Sequence, residues 1–257
     1  MGEEGKELVL RTSTSKKRGI KRVEVILGKN NALIIAPHGH GCDDNRTDII
    51  ATNVAKTLDC SAVINMGWKR DKKYSSEDSK ANMNKLNHAF IGSARKEFLY
   101  PILTIKNTLM EFYNTMFVFI IHGMFNTVQK RVKGLECVLS YGAASPWWNS
   151  SLTIDLWRKE LLAKLLNDGG CVTYDGKGGG TMAARRSYNM NQLFRDRNSP
   201  FFDERIQSIQ VEIVHKGRRD GPKNAANTGL FLGEQFKTLM DTTEKPERAA
   251  STDYKLY

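Results

Sequence analysis

Short apolar runs separated by longer helical patterns constrain the fold of this chain more than any other feature of its sequence. Four runs have the length of buried strands, namely ALIIA at 32–36, SAVINM at 61–66, MFVFII at 116–121 and SIQVEIV at 208–214. Strands that alternate with helices are typical of a wound sheet covered by helices on both faces. The sequence therefore predicts an α/β fold of three layers around a mostly parallel, mixed sheet.

The segments between these runs carry the spacing of amphipathic helices. An apolar residue recurs at every fourth position from Ile50 to Leu58, which places these side chains on one helix face. A second helix is predicted at 93–114, with Ser93 as its N-cap and Pro101 at a kink. The apolar face of a third predicted helix, in LTIDLWRKELLAKLLNDGG at 152–170, consists of Ile154, Trp157, Leu161 and Leu165.

The composition is that of a globular enzyme with an excess of positive charge. Hydrophobic residues make up 40% of the chain and charged residues 26%, which excludes a disordered or fibrous protein. The formal charge of +11 fits nucleic-acid binding, a positive field that attracts acidic substrates, or a solvated basic surface. No RNA-binding motif, zinc-finger spacing or basic helix with interleaved aromatic residues accompanies it. Charge alone therefore does not name the partner.

The chain is predicted to form one catalytic domain over residues 1–257, with a basic N-terminal segment at 1–20 and a flexible polar tail at 242–257. Its longest apolar run, Met116–Ile121, is far shorter than the roughly 20 residues that a membrane span needs. The charged N-terminus lacks the apolar region of a secretion signal, and the four cysteines show no CxxC spacing. These features predict a cytoplasmic protein with reduced thiols, and they leave the oligomeric state open.

Residues able to bind a metal follow the predicted strands where each strand ends. The run at 32–36 is followed by His38, His40, Asp43 and Asp44. The run at 116–121 ends in His122, and Glu212 lies within the last strand between Val211 and Ile213, which are predicted to face the opposite side of the sheet. Because ligands of open α/β sheets bind at the carboxyl ends of the strands, these side chains are expected to converge.

Two histidines and a carboxylate from separate strand ends are the usual protein ligands of a catalytic zinc ion, which keeps one position open for water. A further carboxylate would then accept the proton of that water. A single histidine at a strand end is more often a structural residue whose ring nitrogens are hydrogen-bonded within the fold, and Glu212 alone could belong to a salt bridge. Their occurrence together favours the metal interpretation, and the glycines after His38 and His122 are expected to let backbone and substrate approach the metal.

These motifs resemble those of the N-formylglutamate amidohydrolase and phage poly-γ-glutamate hydrolase group, relatives of the zinc carboxypeptidases. APHGHGCDDNRTDIIATNVA at 36–55 resembles the group's metal-binding opening, and FIIHG at 119–123 resembles the strand that delivers the second histidine. QVEIV at 210–214 resembles a late Q-x-E strand, and RRSYNMNQLFR at 185–195 resembles a substrate-binding stretch. The resemblance runs in this order from about residue 33 to residue 236.

The resemblance implies a zinc-peptidase-like, phosphorylase/hydrolase-like fold that holds zinc through His38, Asp43 and His122, with Glu212 as general base. The acidic ligand is aspartate where the group has glutamate, and one extra residue separates it from Thr47. Asp44 and His40 therefore remain alternative ligands. The spacing after His38 favours Asp43.

Arginine side chains are the candidates for holding an acidic substrate, because guanidinium groups match carboxylates bidentately. The candidates are Arg46, Arg70, Arg185, Arg186 and Arg218. Arg46 follows the metal loop, and the pair at 185–186 follows a glycine-rich loop, so these rank first.

The resulting hypothesis is a zinc-dependent hydrolase of an amide bond in an acidic substrate, such as N-formylglutamate or a γ-glutamyl or peptide amide. One alternative is a nucleic-acid-binding protein on the same fold, whose binding would weaken steeply with salt. Another is a metal-binding relative without catalysis, which would bind zinc yet cleave no amide.

Overall fold

A computed structural model of the chain describes residues 22–39, 44–68, 83, 89, 92–124, 134–142, 152–174 and 189–245. The strands are β1 (Val23–Ile26), β2 (Asn30–Ala36), β3 (Cys60–Asn65), β4 (Met116–Met124), β5 (Cys137–Ser140), β6 (Thr173–Tyr174) and β7 (Ile206–Val214). The longer helices are α1 (Thr47–Leu58), α2 (Tyr100–Phe112), α3 (Leu156–Asp168) and α4 (Pro222–Asp241). A 3₁₀ helix spans Met190–Phe194. None of the described helices is long and apolar enough to cross a membrane.

The strands form one mixed sheet of seven in the order β1-β3-β2-β4-β7-β5-β6. The four central strands β3, β2, β4 and β7 are mutually parallel, so their carboxyl ends lie along one edge. Strand β1 runs antiparallel to β3, and β5 runs antiparallel to β7. The predicted α/β fold with a mostly parallel sheet is therefore confirmed.

Side chains alternate along each strand, so the sheet has two apolar faces. Helices cover both of them. On one face, Phe119 of β4 stacks on Phe236 of α4 with ring centroids 3.9 Å apart, and α1 and α3 join the same core. On the other face, Val118 and Ile120 of β4 pack in a second core with Ile102 of α2. Both cores consist of fully buried aliphatic and aromatic side chains, as the predicted three layers require.

Helices α1 and α4 approach closely because two glycines of α4 face α1. A Cβ atom at Gly229 would lie 2.7 Å from the carbonyl oxygen of Ile50, and one at Gly233 would lie 2.6 Å from Cβ of Thr57. The backbone oxygen of Ile50 cannot move aside without displacing α1. The contact fixes α1, and with it the loop that precedes this helix.

Replacing Gly229 by valine should lower the free energy of unfolding by about 1–3 kcal/mol, because overpacking forces the two helices apart. Chemical denaturation of the variant and its parent measures this. Asn227→Val places the same residue on the exposed side of the same helix, and it should change the stability by less than about 0.5 kcal/mol. Equal effects of the two substitutions would show that the helix contact is not tight.

The first turns of the helix predicted at 93–114 differ from the prediction. Helical structure begins at Gly92, so Ser93 lies inside the helix and the assignment of Ser93 as N-cap is wrong. Arg95–Leu99 forms a π-helical turn, in which the N–H of Tyr100 donates to the carbonyl oxygen of Arg95. Pro101 follows directly, and it has no N–H with which to continue an α-helical ladder. A wider helical turn therefore occurs next to the position predicted to kink.

Helix α3 buries a different face from the one predicted. Its buried residues are Lys159, Leu162 and Leu166, whereas Trp157, Leu161 and Leu165 are half-buried. The leucines occur as doublets at 161–162 and 165–166, so two faces of the helix have the same apolar spacing. The ammonium group of Lys159 lies 5.2 Å from the ring centroid of Tyr141.

Candidate metal centre

The two histidines predicted as ligands lie at the carboxyl ends of adjacent parallel strands. His38 follows the end of β2, and His122 lies near the end of the neighbouring strand β4. His122 pairs in register with Glu212 of β7, so these two side chains point to the same face of the sheet. The expected convergence of the three strand ends is present.

A carboxylate lies between the two histidines, and it belongs to Asp44. Its Oδ2 atom lies 2.7 Å from Nδ1 of His122 and 3.2 Å from Nδ1 of His38. The centroids of the two imidazole rings are 5.1 Å apart, and the ring planes are inclined at 73° to each other. One potential ligand atom from each of the three residues lies within 4.8 Å of the others. We call these three residues the His–Asp–His cluster.

The hydrogen bond between Asp44 and His122 lowers the pKa of Asp44 and raises that of His122. Burial alone would raise the pKa of Asp44, but the hydrogen bonds from His122 and His38 outweigh it and lower that pKa below its ordinary value. Burial likewise opposes protonation of His122, while its hydrogen bond to Asp44 raises its pKa. Asp44 is therefore an ionised acceptor, as a metal ligand must be.

One polar atom of the cluster is buried and unsatisfied. Nε2 of His122 has no hydrogen-bond partner among the residues that the structure describes. A histidine buried only to stabilise the fold would normally have both ring nitrogens satisfied. Two imidazoles and a carboxylate, largely withdrawn from water and incompletely satisfied, fit the donor set of a zinc site.

Glu212 lies beside the cluster and is held by a defined hydrogen-bond chain. Nε2 of Gln210 donates to Oε1 of Glu212 at 2.5 Å, and Nδ2 of Asn189 donates to Oε1 of Gln210 at 3.2 Å. Burial raises the pKa of Glu212, although the nearby His122 opposes this shift. Val211 and Ile213 lie in the core on the opposite face, as predicted from the alternation of the strand.

The loop that carries His38 is fixed by a buried asparagine at the end of β3. Nδ2 of Asn65 donates to the carbonyl oxygen of Pro37 at 2.6 Å, and its Oδ1 accepts from the N–H of Trp68 at 2.8 Å. A Cβ atom at Gly39 would lie 2.7 Å from the carbonyl oxygen of Asn65. Gly39 thus makes room for this contact within the protein, whereas the sequence suggested room for substrate.

The structure describes only some of the other candidates. Asp44 takes the position between the histidines, while Asp43 and His40 lie outside the described residues, as do Arg70, Arg185 and Arg186. Arg46, in a left-handed conformation with φ of 71°, donates to the carbonyl oxygen of Arg219 at 3.0 Å. Arg218 instead forms a two-point ion pair with Glu136, at 2.7 and 3.0 Å.

The described half of the stretch that resembles a substrate-binding segment packs inside the protein. Asn191 donates to Oγ1 of Thr153 at 2.8 Å, and Arg195 donates to the carbonyl oxygen of Ile206 at 2.9 Å. Asn189 contributes to the hydrogen-bond chain that ends at Glu212.

Sequence reasoning assigned no contacts near the site to three residues that make them, namely Asn65, Gln210 and Arg219. The Q-x-E pattern contained a signal for Gln210, since alternate residues of a strand share a face. Asn65 and Arg219 carry no such signal, because a polar residue near a turn is usually exposed. A Cβ atom at Gly123 would lie 2.5 Å from Cζ of Arg219, so this glycine, too, makes room for a side chain of the protein.

Comparison with known proteins adds evidence on the fold. No protein-family model and no curated protein matches the sequence. A bacteriophage poly-γ-glutamate hydrolase matches with a TM-score of 0.51 and 12% identity, over 85% of this chain and 87% of that one. N-formylglutamate amidohydrolase from Ralstonia eutropha JMP134 matches with a TM-score of 0.53 and 11% identity, over 86% of this chain and 98% of that one.

The chain has the fold of this hydrolase group. The two solved structures represent the two kinds of protein that the sequence motifs resemble, so the resemblance is confirmed at the level of the fold. Identities this low carry no information on substrate. What the site can do chemically therefore follows from the His–Asp–His cluster and Glu212.

Proposed function

We propose that the chain is a zinc-dependent hydrolase of an amide bond in an acidic substrate. The observation that carries the proposal is the buried His–Asp–His cluster, with the carboxylate of Glu212 beside it on the same sheet face. The shared fold is compatible with it, because both solved structures are hydrolases.

The ligands of the proposed zinc ion are His38, Asp44 and His122. When bound, zinc supplies a Lewis acid that polarises a carbonyl group and acidifies water. The low pKa of Asp44 keeps this ligand anionic at neutral pH. The burial of Asp44 and His122 limits competition from bulk water.

Glu212 is the proposed general base. Its carboxylate accepts a proton from the attacking water and then donates that proton to the nitrogen of the leaving amine. Burial raises the pKa of Glu212 and so brings it nearer to the pH at which a base works best. The hydrogen bond from Gln210 fixes Oε1, which orients the carboxylate.

An acidic substrate is proposed from the positive charge of the chain and from Arg46. The formal charge of +11 favours anions over neutral molecules at the surface. Arg46 directly precedes α1 and lies two residues after Asp44, which places an arginine beside the metal loop. An N-acylated glutamate or a γ-glutamyl amide contains both an amide bond and a carboxylate, which is the group that an arginine binds.

The full chain, loaded with zinc, should release free amine from N-formylglutamate or from poly-γ-glutamate, and removing the metal should abolish this release. Amine release is measured before chelation, after chelation and after zinc is returned. N-formylleucine keeps the α-carboxylate but has an uncharged side chain, and it should react more slowly. Activity that survives complete removal of the metal would exclude the zinc mechanism. Zinc binding without cleavage of any amide would instead support a non-catalytic relative.

A further inference from the structure

Arg219 is the largest of the fully buried side chains in the described part of the protein, with 1% of its surface exposed. A buried guanidinium group is costly unless its N–H groups are satisfied. Sequence gave no reason to expect burial, since Arg219 lies in the turn between β7 and α4. Its contacts explain why it is there.

The donors of Arg219 reach three backbone carbonyl oxygens. Nε donates to Ile213 at 3.0 Å, Nη2 to Met124 at 3.0 Å and Nη1 to Asn45 at 2.9 Å. Ile213 follows the proposed base in β7, and Met124 ends β4, two residues after the second histidine. Asn45 follows the proposed aspartate ligand in the loop. One side chain thus joins the segments that carry Asp44, His122 and Glu212.

The surrounding backbone is shaped to hold this guanidinium group. Gly123 leaves space for it, since a Cβ atom there would lie 2.5 Å from Cζ of Arg219. The N–H of Arg219 donates to the carbonyl oxygen of His215 at 2.9 Å, which closes the turn that carries it. Arg46 donates to the carbonyl oxygen of Arg219, so the metal loop is attached to this turn twice.

We infer that Arg219 is a positioning residue that sets the aspartate loop, the second histidine strand and the base strand at their working distances. The positioning of these segments by Arg219 does not depend on the proposed function. What the positioned site does rests on the proposed function. A planar guanidinium group has divergent donors that can reach three carbonyl oxygens at once, whereas lysine has a single nitrogen. Arg219→Lys should therefore keep a buried cation and lose the geometry.

The test compares Arg219→Lys with Arg195→Lys. Arg195 also donates to three backbone carbonyl oxygens, those of Thr153, Ile206 and Glu204, but it does so near the opposite end of β7. Both variants should lower the melting temperature. Only Arg219→Lys should weaken Co²⁺ binding, by about 10- to 100-fold, and alter the visible absorption spectrum of bound Co²⁺.

A readout on the metal-free protein separates this inference from the proposed function. In the parent and in Arg195→Lys, NMR should show a protected imidazole N–H proton from the hydrogen bond between His122 and Asp44. Arg219→Lys should lose that signal. A parent that binds neither Co²⁺ nor Zn²⁺ would refute the proposed function, while the NMR comparison would still decide the role of Arg219.

Gly123→Ala provides a second variant if Arg219→Lys does not fold. The added methyl group should displace the guanidinium group while leaving the arginine in place. It should lower Co²⁺ affinity in the same direction and weaken the protected imidazole signal. Parent-like affinity, spectrum and imidazole signal in the folded variants would show that Arg219 only stabilises the fold.

Discussion

Glu212→Gln should bind zinc as the parent does and lose nearly all turnover. Glutamine preserves the shape of the side chain, and its amide oxygen can still accept the hydrogen bond from Gln210. It cannot accept a proton, so the contribution of the general base, typically about 10²–10⁴-fold in rate, should vanish. Because burial opposes ionisation of Glu212, a neutral amide should not lower the free energy of unfolding. Amine release and zinc titration on the same preparation measure both effects.

Glu97→Gln is the matched control, because the side chain of Glu97 is also largely shielded from water but lies outside the site. It pairs with Arg22 at 2.7 Å and accepts from Nε1 of Trp68 at 3.0 Å. This variant should lose stability and keep its turnover. If Glu212→Gln retained full turnover, the base would be another residue. If it released its zinc, Glu212 would be a ligand.

Asp44→Ala should lower the zinc affinity by more than about 100-fold, because loss of an outer partner alone typically costs 10- to 100-fold. Asp44 is the carboxylate that contacts both histidines, and without it two imidazoles remain with no anion between them. Competition with a chromogenic chelator measures the affinity. Zinc should also raise the melting temperature of the parent, since a ligand that binds only the folded state stabilises it, and it should not raise that of the variant.

Asp43→Ala is the neighbouring control, and we expect a smaller loss of affinity from it. Spacing alone favoured Asp43, whereas the geometry of the described residues favours Asp44. A larger loss for Asp43→Ala would return the ligand role to Asp43. Equal losses would indicate that both carboxylates bind the metal.

The strands that carry the site residues could be predicted from the sequence, because apolar runs and strand ends are local features. The run that ends in His122 could only be a buried strand, and the alternation around Glu212 placed its side chain opposite Val211 and Ile213. Neighbouring parallel strands then bring their carboxyl ends together. The order of the strands within the sheet was not predicted from the sequence.

The details that sequence could not predict depend on loop conformation and on long-range burial. Asp43 and Asp44 are adjacent, and which of them faces the histidines depends on the loop, where Arg46 adopts a left-handed conformation. Arg218 and Arg219 are likewise adjacent, yet one forms an ion pair near β5 and the other is buried against three carbonyl groups. Pattern reasoning has no means of separating such neighbours.

Anomalous X-ray diffraction from crystals of the zinc-loaded full chain tests the central claim most directly. Data collected on both sides of the zinc absorption edge should show one strong peak per chain, within coordination distance of His38, Asp44 and His122. The peak should lie on the same sheet face as Glu212. Zinc bound elsewhere with none at the His–Asp–His cluster, or no zinc bound at all, would contradict the account.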